Sequence, residues 1–292
     1  MKISPLTLYA DDDVTDGRES IAIPESMRKF YGSDLVMPPL VKGRATVSVN
    51  FVVRRDGVVN IPEDPGGKAI NGGNTGDIAF MAILRATHDA VLVGSETLAS
   101  EPHHLWTPSY IYREFGEELE AWRLSNGRSR YPTNIIISRS GMVRDPENLA
   151  RKIPLSLDYP VFNTPELKTI LVTTKEGASV LGDAVLSHSN VTLLTIISEE
   201  FERELLVVLL ERFGITYLLV EGGPTVNGAF HAKGLVTDDF LTLAPGMAGR
   251  TQDSRRATLM MGHEFPPNAI PTPRLISVRR SDNHLLIRER YN

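Results

Sequence analysis

Apolar and polar positions alternate along the whole of Ala45 to Val53. Val47, Val49, Phe51 and Val53 fall on one side, and Thr46, Ser48 and Asn50 on the other. A period of two predicts a strand with one apolar face and one partly polar face, where Asn50 either lines a cleft or meets solvent. The strand breaks at the turn signal Arg54-Arg55-Asp56-Gly57. Between Asp77 and Thr87 the period changes: Ile78, Met81, Ala82 and Arg85 recur at helical spacing. Short apolar runs at Asp89–Val93, Asn134–Ser138, Thr169–Thr173, Val191–Ile197 and Asp239–Leu243 predict further strands. Glu199–Phe213 is amphipathic, with Phe201, Leu205, Val208, Leu209 and Phe213 on one stripe. It stops at Gly214 and feeds the run Tyr217-Leu218-Leu219-Val220, which reads as a buried parallel strand. A helix over Val226–Lys233, closed by Gly234, follows. The chain ends in Leu275–Arg280 and Leu285–Arg290 around Asp282-Asn283, a two-residue hairpin.

Strands alternating with helices, then a hairpin, predict an α/β chain. Its three α/β/α layers surround a mostly parallel sheet with a C-terminal antiparallel hairpin. Three stretches escape this pattern. Residues 1–42 lack sustained periodicity and read as an extension packed on the domain, with a short helix within Ile23–Tyr31; an arm reaching a second copy is the alternative. Pro62–Gly76 is a long Pro/Gly/Asn-rich loop, a length that usually signals function or mobility. Residues 101–131 resemble an insertion, with a charged helical piece over Arg113–Arg123.

Composition narrows the function classes. The 292 residues carry 41% hydrophobic and 23% charged side chains, an ordinary globular balance. A net charge of −5 without a basic stretch argues against nucleic acid as the main partner. No apolar run approaches the roughly 20 residues needed to span a bilayer. The acidic Asp11-Asp12-Asp13 does not read as a leader, so a cytoplasmic location is expected. With no cysteine, disulfides, thiolate nucleophiles and thiolate-held zinc are excluded. The seven histidines show no metal-ligand spacing, so no metal is expected.

Ligands of open α/β sheets sit beyond the carboxyl ends of the strands. Three such ends are unusual: Gly94-Ser95-Glu96-Thr97, Ser138-Arg139-Ser140-Gly141, and Glu221-Gly222-Gly223-Pro224-Thr225. In the last, a strand, a glycine turn and a helix start combine into an anion site, with free N–H groups and the positive end of the helix dipole. Gly222, Gly223 and Thr225 are candidates to bind a diphosphate, and Thr225 to cap the helix through its hydroxyl. Pro224 suits the first helical position. Ser138 and Arg139 suit an additional phosphate, which favours NADP over NAD. Chemistry on a ligand bound at such a site requires a group to orient or protonate it. Asp56 is the first candidate and Glu221 the second.

Thr46–Val59, Ala90–Leu98, Asn134–Gly141 and Leu218–Leu243, in this order, resemble the pyrimidine reductase domain family of riboflavin biosynthesis. The most specific segment is Glu-Gly-Gly-Pro-Thr followed by a Leu-Thr-x-Ala-Pro strand. The resemblance covers residues 43–292 apart from 101–131, and implies a dihydrofolate-reductase-like fold, NADPH as hydride donor and a homodimer paired through sheet edges. It implies Gly94, Thr97 and Leu98 along the nicotinamide ribose and phosphates, Glu221 to Thr225 on the diphosphate, and Asn50 and Asp56 facing a substrate such as a ribosylamino-pyrimidinone 5′-phosphate. The chain departs from the family at Val58, where a lysine is usual. It departs again at Gly72–Gly76 and Glu101–Leu105, which lack the arginines expected for a substrate phosphate. A dihydrofolate or pterin reductase, and a non-catalytic NADP-binding protein, are the alternatives.

Overall fold

Strand β1 (Leu6–Ala10) opens the computed structural model, which describes residues 6–10, 20–62, 64, 67–148 and 150–291. The acidic triplet at 11–13 lies outside the described residues. The first half continues with β2 (Ser20–Ile21), α1 (Glu25–Tyr31), β3 (Leu35–Val36), β4 (Thr46–Arg54), α2 (Lys68–Asn71), α3 (Thr75–Thr87), β5 (Ala90–Gly94) and α4 (Ser95–Ser100). Then come α5 (Pro108–Ile111), α6 (Arg113–Ser125), β6 (Thr133–Ile137), β7 (Met142–Arg144), β8 (Lys152–Pro154), α7 (Pro160–Asn163), β9 (Thr169–Thr173) and α8 (Lys175–Leu181). The last stretch holds β10 (Val191–Thr195), α9 (Phe201–Phe213), β11 (Tyr217–Gly222), α10 (Pro224–Ala232), β12 (Val236–Ala244), β13 (Arg274–Ser281) and β14 (His284–Arg290).

Ten strands form one sheet in the order β1-β13-β14-β12-β4-β11-β5-β6-β9-β10. From β12 to β10 every pairing is parallel, and β14, β13 and β1 add antiparallel strands at one side. The expected α/β class and C-terminal hairpin are therefore present. One face packs on α1, α3, α6 and α7 through Met27, Phe80, Leu84, Leu119 and Phe162. The other packs on α9 and α10 through Phe201, Leu205, Leu209 and Phe230.

The polar side of β4 is not a solvent face. Ser48 lies beside Leu219 and Asn50 beside Phe240, so both point toward the layer that contains α3. Thr46, Ser48 and Asn50 are all buried, because helices cover a central strand on both sides. The segment 101–131 is also tied into the core: Trp106, Leu119 and Arg123 are buried. Arg123 donates to the carbonyls of Ala86 and His88, both at 2.7 Å, and so satisfies the carboxyl end of α3.

His88 caps that end and is fully buried, with Nδ1 2.7 Å from the Leu84 carbonyl and Nε2 without a hydrogen-bond partner among the described residues. Burial pushes it down to about 4. The folded protein then refuses a proton that the unfolded chain accepts. Stability is present above the ordinary histidine value and is lost as pH falls from about 6.5 toward 4. The expected loss is about 3 kcal/mol. Denaturant unfolding at pH 7 and pH 4.5 measures it, and a His88→Leu variant should lose most of the dependence.

Candidate functional site

Because β4, β11, β5, β6 and β12 are parallel, their carboxyl ends share one edge, and the turns singled out in the sequence meet there. The β11–α10 turn is packed against the start of α4. A Cβ at Gly94 would lie 3.1 Å from Val226 Cγ2 and 3.6 Å from the Gly223 nitrogen. A Cβ at Gly222 or at Gly223 would lie 3.1 Å from Thr97 Oγ1. Three glycines thus permit a backbone-lined cradle that side chains would fill. The Gly222–Gly223 peptide is cis.

Helix α10 starts at Pro224, so Gly223 is its N-cap, and among the described residues no side chain caps it. Thr225 therefore does not cap the helix as the sequence suggested. It sits one position inside, exposed, and the first-turn N–H groups are left to a ligand or solvent. Leu98, placed along the cofactor by resemblance, is instead fully buried in the core beneath α4. Ser138 turns its hydroxyl to the Met142 carbonyl at 3.3 Å. Arg139 leaves the strand end for α9: its guanidinium lies over the Phe201 ring at 4.7 Å and 3.5 Å from Glu202. Ser138 and Arg139 adjoin in sequence but send their side chains to different partners.

Asp56 occupies the exposed turn after β4 and accepts from the Gly249 N–H at 2.5 Å. That bond and weaker ones from Val58 and Ala248 hold its carboxyl below the ordinary range. Arg55 N–H reaches the carbonyls of Ala244 and Gly246, and Val59 N–H that of Ala257. The segment following β12 is thereby laced to this turn. It continues over α10, where Asn227 donates to the Leu259 carbonyl and Met261 N–H to that of Pro224. Asn50, by contrast, is nearly inaccessible on β4 beside Phe240.

Glu221 is not an open carboxylate. Arg85 grips it with Nε at 3.0 and 3.1 Å from its two oxygens and Nη2 at 2.7 Å, and both side chains are buried. Sequence reasoning put Arg85 on the apolar stripe of its helix without a function. The signal was there, since an arginine inside a core stripe needs a buried anion. Asp77 was missed as well. It lies fully buried in the first turn of α3, bonded to Asn71, and burial raises its carboxyl while Thr242 and Asn71 oppose the rise. Asn74 caps α3 on Asp77 N–H at 2.8 Å and clamps the hairpin through the Ser281 carbonyl. Among the described residues no cluster suits a metal ion, and no helix is long and apolar enough to cross a membrane.

The family model described as the RibD C-terminal domain matches residues 45–286. Among solved structures, the chain is similar to a pyrimidine reductase-like protein of Corynebacterium diphtheriae, with a TM-score of 0.60, 18% identity, and 93% of this chain and 96% of that one covered. Acinetobacter baumannii RibD gives a TM-score of 0.60 and 18% identity over 86% of this chain, which spans 59% of that protein. A riboflavin biosynthesis reductase of Saccharomyces cerevisiae gives 0.54 and 17%, covering 87% and 93% of the two chains. These likenesses show the dihydrofolate-reductase-like fold. No curated protein matches the sequence.

Proposed function

Because the chain belongs to the RibD C-terminal domain family, we propose that it is a reductase using NADPH to reduce a ribosylated pyrimidine or related heterocycle. In reaction type it would resemble a 5-amino-6-(5-phosphoribosylamino)uracil reductase, with residues 43–292 as the reductase unit. The observation carrying this reading is the glycine cradle. At Gly94, Gly222 and Gly223 the backbone is bare beside an uncapped helix start, which fits a diphosphate approaching closely. When bound, the nicotinamide supplies the hydride.

The chain's own groups position and polarise. Glu221 to Thr225 hold the diphosphate, Gly94 and Thr97 border the adjoining ribose, and Leu98 contributes through its backbone. Arg139 exchanges Glu202 for the phosphate that distinguishes NADPH from NADH, beside the Ser138 hydroxyl. Asn50 and Asp56 face the substrate. Asp56 is held anionic by Gly249 and therefore orients a donor on the substrate rather than giving up a proton. Glu221 adds fixed negative charge at the join of cofactor and substrate. Asp77 is the carboxyl of this neighbourhood that keeps its proton to higher pH.

A second reading, a non-catalytic NADP-binding protein, is favoured by one observation: both carboxylates first chosen for chemistry already have protein partners. NADPH oxidation assayed with the ribosylaminopyrimidinone 5′-phosphate and with dihydrofolate separates the readings. Turnover of the first supports the proposal, turnover of the second moves the substrate to a pterin, and tight NADPH binding without turnover favours the second reading. Gly222→Ala should weaken NADPH binding about tenfold, with a smaller effect on substrate KM, because the added carbon enters the cradle. Unchanged affinity would remove the turn from the cofactor site. The proposal extends to a cytoplasmic homodimer, whose mass sedimentation equilibrium measures.

A further inference from the structure

Four side chains from the loop after α4, from α3 and from β11 make a continuous chain from the surface to the end of β11. Glu101 Oε2 lies 2.6 Å from His104 Nδ1. His104 Nε2 lies 3.1 Å from Arg85 Nη2, whose guanidinium holds Glu221. Side-chain exposure falls inward, from 29% at Glu101 and 12% at His104 to 1% at Arg85 and 4% at Glu221. The tautomer follows from the donor inventory. A guanidinium only donates, so His104 Nε2 accepts, and the proton sits on Nδ1 and is donated to Glu101. The Trp106 and Tyr110 rings, 4.8 and 4.5 Å from the imidazole, fix its plane. The Thr107 carbonyl takes another guanidinium N–H at 3.3 Å.

We propose that Glu101, His104 and Arg85 form a positioning relay for Glu221, in which neutral His104 supports the Arg85 grip and a proton on Nε2 breaks it. This inference rests on the reductase reading only for its functional readout. Protonated His104 turns an acceptor into a donor facing another donor, so that contact must open. The charged groups facing His104 are Glu101 from its own loop, Arg85 from α3 and Glu221 from β11. Burial and Arg85 keep the imidazole below its ordinary value, against the opposing pull of Glu101. Near neutrality the relay is therefore closed. Glu221 immediately precedes Gly222, so loosening its side chain disturbs the start of the diphosphate turn.

The test uses the full chain and NADPH alone, comparing wild type with His104→Gln from pH 8 to pH 5. Glutamine keeps an acceptor for Arg85 and a donor for Glu101 but does not titrate. Wild type should lose NADPH affinity about tenfold more than the variant on the acid side, the variant correcting for titration of the ligand itself. Imidazole nitrogen NMR should show the Nδ1–H tautomer at pH 7.5. The Arg85 Nε–H resonance should broaden in acid in wild type and stay sharp in the variant. Identical acid profiles in the two proteins, or the Nε2–H tautomer, would overturn the relay. If neither protein binds NADPH at any pH, the reductase reading fails, and the tautomer and Arg85 resonance still decide the relay.

Discussion

Asp238→Ala should cost at least about 3–5 kcal/mol of stability, the range for removing one partner of a buried ion pair. Asp238 is fully buried in β12, and two arginines of β14 converge on it. Arg288 donates through Nε at 2.8 Å and Nη2 at 2.5 Å, and Arg290 through Nε at 2.6 Å and Nη2 at 2.7 Å. Removing the carboxylate leaves two adjacent guanidinium groups in the interior without their anion, so repulsion adds to desolvation. The Arg288 stack on the Phe240 ring, at 4.9 Å, remains but does not neutralise charge. Denaturant unfolding followed by circular dichroism measures the loss. A change below about 1 kcal/mol, as for an exposed pair, would show that the cluster contributes nothing beyond packing.

The second large effect concerns Arg85 and Glu221, and its pattern separates fold from function. Arg85→Met alone should destabilise by about 3–5 kcal/mol, because Glu221 is left charged and buried. Adding Glu221→Leu should restore most of that loss, since apolar replacement of a whole buried pair is often neutral or better. The restored protein should nonetheless bind NADPH weakly and turn over poorly if Glu221 serves the cleft. A double-mutant cycle in stability, with NADPH affinity measured on the same four proteins, reads both quantities. Full recovery of stability and affinity together would reduce the pair to packing.

Much of the framework was legible because it rests on local periodicity. The alternation of Val47, Val49, Phe51 and Val53 located β4, and Asp282-Asn283 marked the hairpin, whose first residue adopts φ 50°. The glycine turn before α10 was legible too, since its chemistry is contiguous in the chain. What escaped depends on partners far apart in sequence. The strand was expected over Asp239–Leu243. It starts at Val236 because Arg288 and Arg290 from another strand neutralise Asp238 in the interior. Arg85 and Glu221 are 136 positions apart, and no spacing rule joins them. The Thr225 cap failed for a local reason: proline at 224 lets the helix begin two residues earlier, which places the cap on glycine.

The pairing of β1 with β13, from Leu6 opposite Arg280 to Ala10 opposite Ser277, has a consequence for handling the protein. An outer strand with its N–H and C=O groups bare is a template on which another molecule's strand can assemble. Leu6–Ala10 act as a short shield against such self-templating. Trimming the chain to its first long alternating segment would keep β4 and everything after it, yet would uncover the Ser277–Arg280 stretch of β13 as a seed for fibre growth.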